Sequence, residues 1–160
     1  MCSSDLFDRQ YVKRLDGPNV KTGKNKKDLA DQLIADIRQF KASHHCDRIV
    51  VIWAGSTEIF LTEAPCHQSL AAFEQGLVNN DPAIASSMIY AYAAISEGLP
   101  YGNAAPNLSA EVPALQELAA KTGAPVCGND MKTGQTLIKT IIAPGLKARL
   151  IGVSGWYSTN

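Results

Sequence analysis

Between Gly128 and Gln135 the chain sets an acid, a lysine, two glycines and a threonine side by side in GNDMKTGQ. The chemistry such a mixture offers is anion binding next to a carboxylate. Thr133, Gly134 and Gln135 fall where a helix should begin, and the unpaired N–H groups of a helix start, with its macrodipole, favour a phosphate. Lys132 adds a full positive charge beside them. Asp130 would repel a phosphate set directly against it, so its expected work is hydroxyl or amide recognition on a neighbouring part of a ligand. The plainer alternative is that Gly128, Asn129 and Asp130 make only a turn, with Thr133 capping the next helix.

Two other stretches have the same character. AGSTE (54–58) follows an apolar run at once, and YGNAAPN (101–107) lies between two helical patterns. Small residues there let a ligand approach the backbone, and the stretches supply free amides and hydroxyls. If all three follow strands of one parallel sheet, they meet where ligands bind in such sheets, outside the C-terminal strand ends. Neither GxGxxG nor GxxxxGK[ST] occurs, so both common phosphate-loop fingerprints are missing. Other chemistry-bearing groups are weaker. His44, His45 and Cys46 are adjacent and cannot all face one ion, so no metal site is expected. Cys66 and His67 pair as thiol and base only on paper, because neighbours on a helix point apart.

The elements that would position these loops can be read from periodicity. Residues 16–27, rich in Gly, Asn and Lys, predict a solvated loop. Leu29, Leu33, Ile34, Ile37 and Phe40 recur at helical spacing from Asp28 to near Ser43. RIVVIW (48–53) predicts a strand covered on both faces. Helix is expected from Pro65 to Val78, with Leu70, Phe73 and Leu77 inward, and again after an Asp81 cap and Pro82, ending at Gly98. Pro113 should open a helix that Gly123 closes, and APVC (124–127) is the next strand. A helix from Thr133 or Gly134, with Leu137, Ile138, Ile141 and Ile142 inward and a break at Pro144, should lead into a strand RLIGVSG (149–155). Alternating strands and helices predict an α/β fold on a parallel sheet.

Composition narrows the classes. With 160 residues, 46% of them hydrophobic, the chain can bury an ordinary core. Fifteen basic residues cancel fifteen acidic ones, so nothing points to nucleic acid. No apolar run reaches the roughly 20 residues of a membrane helix. Four dispersed cysteines without a CxxC pair suit a reducing cytoplasm. The opening MCSSDL reads like a translated sequencing adapter and is set aside, and the final strand pattern reads as an internal cut through a longer protein.

Together the loops resemble those of myo-inositol-1-phosphate synthases. VIWAGSTEIF is similar to that family's LWTANTERF segment and GNDMKTGQT to its GDDFKSGQT segment. DRQYVKRLDGPNV, GLPYGNAAPNL and LKARLIGVSGWYSTN resemble its bacterial and archaeal branch. The resemblance runs from Phe7 to Asn160. It implies that residues 7–130 are the later part of a Rossmann-like parallel sheet with helices on both faces, and that 131–160 start a catalytic, tetramer-forming α+β domain. It further implies an NAD-dependent, cytoplasmic isomerase that turns glucose 6-phosphate into inositol phosphate by oxidation, enolisation, aldol closure and reduction, as a homotetramer. By position, Ala54, Gly55, Ser56, Thr57, Gly102, Asn103, Asp130 and Thr133 would line the NAD site. Thr133, Gly134, Gln135 and Asn160 would meet the substrate, and Asp130 and Lys132 would take part in catalysis. Asn129 stands where the family pattern has Asp. The first nucleotide loop and the main lysines of the family have no counterpart in this stretch. A non-catalytic nucleotide-binding module and another NAD-linked sugar-phosphate enzyme are the alternatives.

Overall fold

A computed structural model describes residues 20–55, 57–131 and 134–154. The sequence readings made for residues 1–19, Ser56, Lys132, Thr133 and 155–160 therefore lie outside the described residues. The chain divides into two compact units, Met1–Asp130 and Met131–Asn160.

The first unit opens with helix α1, Lys26–Ser43, two residues earlier than Asp28 suggests. The reason is Asn25, whose side chain accepts the Asp28 N–H and so caps a free first-turn donor. Leu33 is buried, and Leu29, Ile34 and Ile37 pack on the core as the periodicity predicts. Phe40 instead stays outside and stacks on His44. Strand β1, Val51–Trp53, pairs in parallel with β2, Tyr101–Asn103, which pairs in parallel with β3, Val126–Cys127. The sheet order is β1-β2-β3, so the α/β expectation holds. Only half of RIVVIW is strand, and coverage on both faces is not met at Val50 and Ile52, which are 61% and 48% exposed. Successive residues of a strand point to opposite sides, and it is the Val51 and Trp53 side that joins the core.

Between β1 and β2 the expected single helix from Pro65 to Val78 is split. A short 3₁₀ turn, Pro65–His67, precedes helix α2, Leu70–Val78, because Ser69 caps the latter through the Ala72 N–H. Phe73 and Leu77 are fully buried from α2. Helix α3, Ser86–Ser96, also starts later than the Asp81 signal. Asp81 accepts from the Ala83 N–H two residues on, which makes a turn rather than a cap. The end of α3 follows the sequence: Gly98 adopts φ 68° and Leu99 N–H returns to the Ala94 carbonyl. Pro113 opens helix α4, Pro113–Thr122, and Gly123, at φ 72°, closes it as expected.

Below the sheet, Tyr101 is almost fully buried and its hydroxyl meets the Ser87 carbonyl at 3.2 Å and Ser109 Oγ at 3.1 Å. Burial pushes its pKa above the ordinary tyrosine value, with the hydrogen bond to Ser109 working the other way. The hydroxyl is thus a neutral tie between α3 and the loop after β2. Tyr101→Phe should cost about 1 kcal/mol, read as a lower midpoint in urea unfolding with unchanged slope.

The second unit contains helix α5, Gly134–Ala148, which continues through Pro144 instead of breaking there. A proline deletes one rung of hydrogen bonding, and the remaining turns keep their geometry. Leu137, Ile138, Ile141 and Ile142 are exposed, contrary to the inward expectation. RLIGVSG forms no strand over its described residues. Arg149 to Ile151 are used in closing α5, with Leu150 at φ 56° and Ile151 N–H returning to the Leu146 carbonyl.

Candidate functional site

The loops after β1, β2 and β3 gather on one rim of the sheet and are stitched to one another. Ala104 N–H donates to the Trp53 carbonyl at 2.8 Å, so the second loop leaves its strand against the first. Glu58 N–H donates to Asn107 Oδ1 at 2.9 Å, and Asp130 N–H to the Ala105 carbonyl at 3.2 Å. Three segments far apart in sequence are thereby held within hydrogen-bond reach.

The individual residues divide by what their side chains already do. Ala54, Gly55 and Thr57 are exposed on the first loop. A Cβ on Gly55 would lie 2.6 Å from the Trp53 ring, so glycine is needed there for packing as well as for access. Gly102 is buried, and its missing side chain leaves room for Ile52, whose Cδ1 would stand 2.9 Å from an added Cβ. YGNAAPN, read as a loop, begins as strand: Tyr101–Asn103 is β2, and Asn103, its last residue, is 4% exposed with its amide used on the loop that follows, donating to the Asn107 carbonyl at 2.8 Å and accepting the Ala105 N–H at 3.1 Å. Asp130 is exposed and takes φ 65°, a left-handed conformation that Asp tolerates better than most residues. Gly134 and Gln135 open α5 in the second unit. Ser56, Lys132, Thr133 and Asn160 lie outside the described residues.

A cleft of about 250 Å³ lies beside the second and third strand ends, with Asn103, Glu111, Gln116, Cys127, Gly128 and Asn129 in its lining. Pockets for drug-sized ligands run to about 300–1,000 Å³. This one therefore admits a sugar ring or a base, part of a dinucleotide rather than the whole. Glu111, Gln116 and Asn129 give it a partly polar lining that suits a polar guest.

Two acids that sequence reading passed over organise the rim. Glu58 accepts from Ser87 N–H at 2.9 Å and Ser87 Oγ at 2.6 Å, and so caps α3, whose own N-cap residue, Ala85, offers no side-chain acceptor. Glu111 accepts from Ser109 N–H at 2.9 Å and from Asn129 Nδ2 at 3.1 Å. Glu58 sits inside the AGSTE stretch, and only its partner, 29 residues away, was hidden. Glu58→Ala should cost about 1 kcal/mol, the usual worth of a lost helix cap, seen as a lower unfolding temperature and faster amide exchange in the first turn of α3.

Cys66 and His67 resolve as structural. His67 is fully buried, with Nδ1 accepting the Ala64 N–H at 3.1 Å and Nε2 facing the Ala83 carbonyl at 3.0 Å, so its ring is committed to backbone and not to Cys66. Burial, then the nearby Asp81, pushes the Cys66 thiol pKa up, the opposite of an activated nucleophile. No group of three or more His, Cys, Asp or Glu is placed to hold a metal among the described residues.

Comparison with known proteins bears on the family and the fold. The family model described as "Myo-inositol-1-phosphate synthase", an NAD-binding model, matches residues 3–151. Inositol-3-phosphate synthase 1 of Bacteroides thetaiotaomicron is 46% identical over 155 residues, covering 96% of this chain and 36% of the relative. Inositol-3-phosphate synthase of Saccharomyces cerevisiae is 36% identical over 109 residues, covering 68% of this chain and 20% of the relative. The chain thus spans about a third or less of the length of these relatives. The crystal structure of inositol-3-phosphate synthase from Caenorhabditis elegans superposes with a TM-score of 0.74 at 27% identity, over 89% of this chain and 29% of that one. The parallel sheet with its helices is the Rossmann-like arrangement, and the chain belongs to the NAD-binding family of myo-inositol-1-phosphate synthases.

Proposed function

We propose that this chain works within an inositol-3-phosphate synthase, an NAD-dependent isomerase converting D-glucose 6-phosphate to 1D-myo-inositol 3-phosphate. The observation that carries the reading is the stitched rim: in a chain of this family, three donor-rich loops meet at the C-terminal ends of parallel strands. Ala54, Gly55, Ser56, Thr57, Gly102, Asn103 and Asp130 are the cofactor contacts of the first unit, and Thr133 is one in the second. Asn103 contributes through shape and backbone, since its amide is engaged by Ala105 and Asn107 of the loop that follows β2. The Asp130 carboxylate accepts from a hydroxyl or amide of the ligand. Separately, in the second unit, the backbone amides of Thr133, Gly134 and Gln135 receive the sugar phosphate, with Lys132 adding charge and Asn160 meeting the sugar.

When bound, NAD would supply a hydride acceptor and donor, so that the conversion would carry no net redox change. The residues of this chain bind, orient and keep the ligands apart from bulk water. Proton transfer is assigned mainly to lysines elsewhere in the longer protein, consistent with a chain that spans 36% of its Bacteroides relative. Residues 7–130 then belong to the NAD-binding domain and 131–160 to the start of a catalytic domain that assembles as a homotetramer in the cytoplasm. No helix among the described residues is long and apolar enough to cross a membrane.

The test is direct. Full-length protein incubated with glucose 6-phosphate and NAD should yield inositol phosphate, seen by phosphorus NMR, with no net accumulation of NADH. Binding of NAD without any inositol phosphate would reject the enzyme reading and favour a non-catalytic module.

A further inference from the structure

We propose that Glu111 and Asn129 form an acid–amide clamp across the cleft that sets the position of Asp130 and hence the affinity for the nucleotide. The proposal rests on the reading of Asp130 as a cofactor contact. Residues 128–130 carry no regular structure of their own, and they are fixed at three points by the end of β2 and the loop after it. Gly128 lies against the backbone of Asn103, Asn129 Nδ2 donates to Glu111 Oε1 at 3.1 Å, and Asp130 N–H donates to the Ala105 carbonyl. Of these three, the Asn129 bond is the one made between side chains, and its acceptor is charged, which makes it the stronger kind of hydrogen bond.

Glu111 is itself anchored. Its Oε2 accepts the Ser109 N–H, and Ser109 Oγ contacts the buried Tyr101 hydroxyl. The clamp therefore ties an exposed loop to the core through a fixed acid. It also accounts for Asn at 129 where the family pattern reads Asp: a second carboxylate there would stand at hydrogen-bond distance from the first, and two carboxylates sharing one site repel. An amide in that place donates instead. The identity of residue 129 is thus coupled to that of residue 111, eighteen positions earlier.

The experiment measures NAD dissociation constants of the full-length protein and three variants. Asn129→Asp should weaken binding about tenfold or more, since a bond to a charged group is replaced by repulsion. Glu111→Gln should lose only about threefold, because one amide oxygen must serve two donors. Combining Glu111→Gln with Asn129→Asp should restore affinity to within about threefold of wild type, the glutamine oxygen accepting the Ser109 N–H and its NH₂ donating to the carboxylate introduced at position 129. A general loss of structure would not be rescued by a second substitution. Unchanged affinity in Asn129→Asp, or a double variant no better than Asn129→Asp, overturns the clamp. The side-chain NH₂ resonance of Asn129 reads the pair without ligand: it moves on Glu111→Gln if the bond exists, and an unmoved resonance overturns the proposal. Wild-type protein that binds no NAD while this resonance moves overturns the cofactor reading and leaves the clamp as a loop anchor.

Discussion

Asp130→Asn in the full-length protein should lower NAD-dependent turnover of glucose 6-phosphate about 100-fold, equivalent to losing one hydrogen bond to a charged group in the reacting complex. Asparagine keeps the size of the side chain and removes its charge. It also tolerates the left-handed backbone at φ 65°, which alanine does at greater cost, so the asparagine variant isolates chemistry from strain. The backbone bond from residue 130 to the Ala105 carbonyl does not involve the side chain, and Asp130 is exposed, so the core is untouched. Unfolding temperature should stay within about 2 °C of wild type. Turnover within twofold of wild type would remove Asp130 from the site. A large drop in unfolding temperature would mean that the carboxylate supports the loop and does not read the ligand.

That result bears on how far residue types alone can carry an assignment. Where a feature is decided by its immediate neighbours, the sequence is enough. Pro113 and Gly123 bracket α4 because a first-turn proline and a left-handed glycine act on the backbone they belong to. Gly98 closes α3 for the same reason. The convergence of AGSTE, YGNAAPN and the loop at 128–130 follows from strand order, because parallel neighbours send their C-terminal ends the same way.

What stayed hidden depends on partners distant along the chain. Asp81 has the side chain of a helix cap, yet α3 begins five residues later, where Glu58 reaches the Ser87 N–H from another loop. Ser69 splits a helix that apolar spacing would have run through, and Glu117 then accepts the Leu70 N–H from 47 residues away. Glu111 has no motif around it, and its importance lies in reaching Asn129 across the cleft. The apolar stripe of α5 was legible as a helix but not as a buried one: periodicity reports which side is sticky, whereas burial depends on what is packed against it.

Gly128 offers the sharpest separation between a residue that is small for conformational reasons and one that is small because something stands beside it. Its φ of 136° is open to glycine and closed to other residues, and an added Cβ would lie 2.6 Å from the Asn103 carbonyl oxygen and 2.9 Å from Asn103 Cβ. Neither neighbour can yield easily, because Asn103 is buried and its amide is held by Asn107 and Ala105. Gly128→Ala should therefore cost about 3 kcal/mol or more, adding backbone strain to overpacking, and NAD binding should be lost with the displaced 128–130 loop. Gly123→Ala is the matched control: φ is 72° and nothing lies within 4 Å of its added Cβ. That change should cost only about 1 kcal/mol, the price of a left-handed alanine. Thermal unfolding and NAD titration of the two variants decide the matter. Equal losses of stability would mean that the approach of Gly128 to Asn103 is not a feature of the folded protein, and the rim would then lack one of the contacts that bring its second and third loops together.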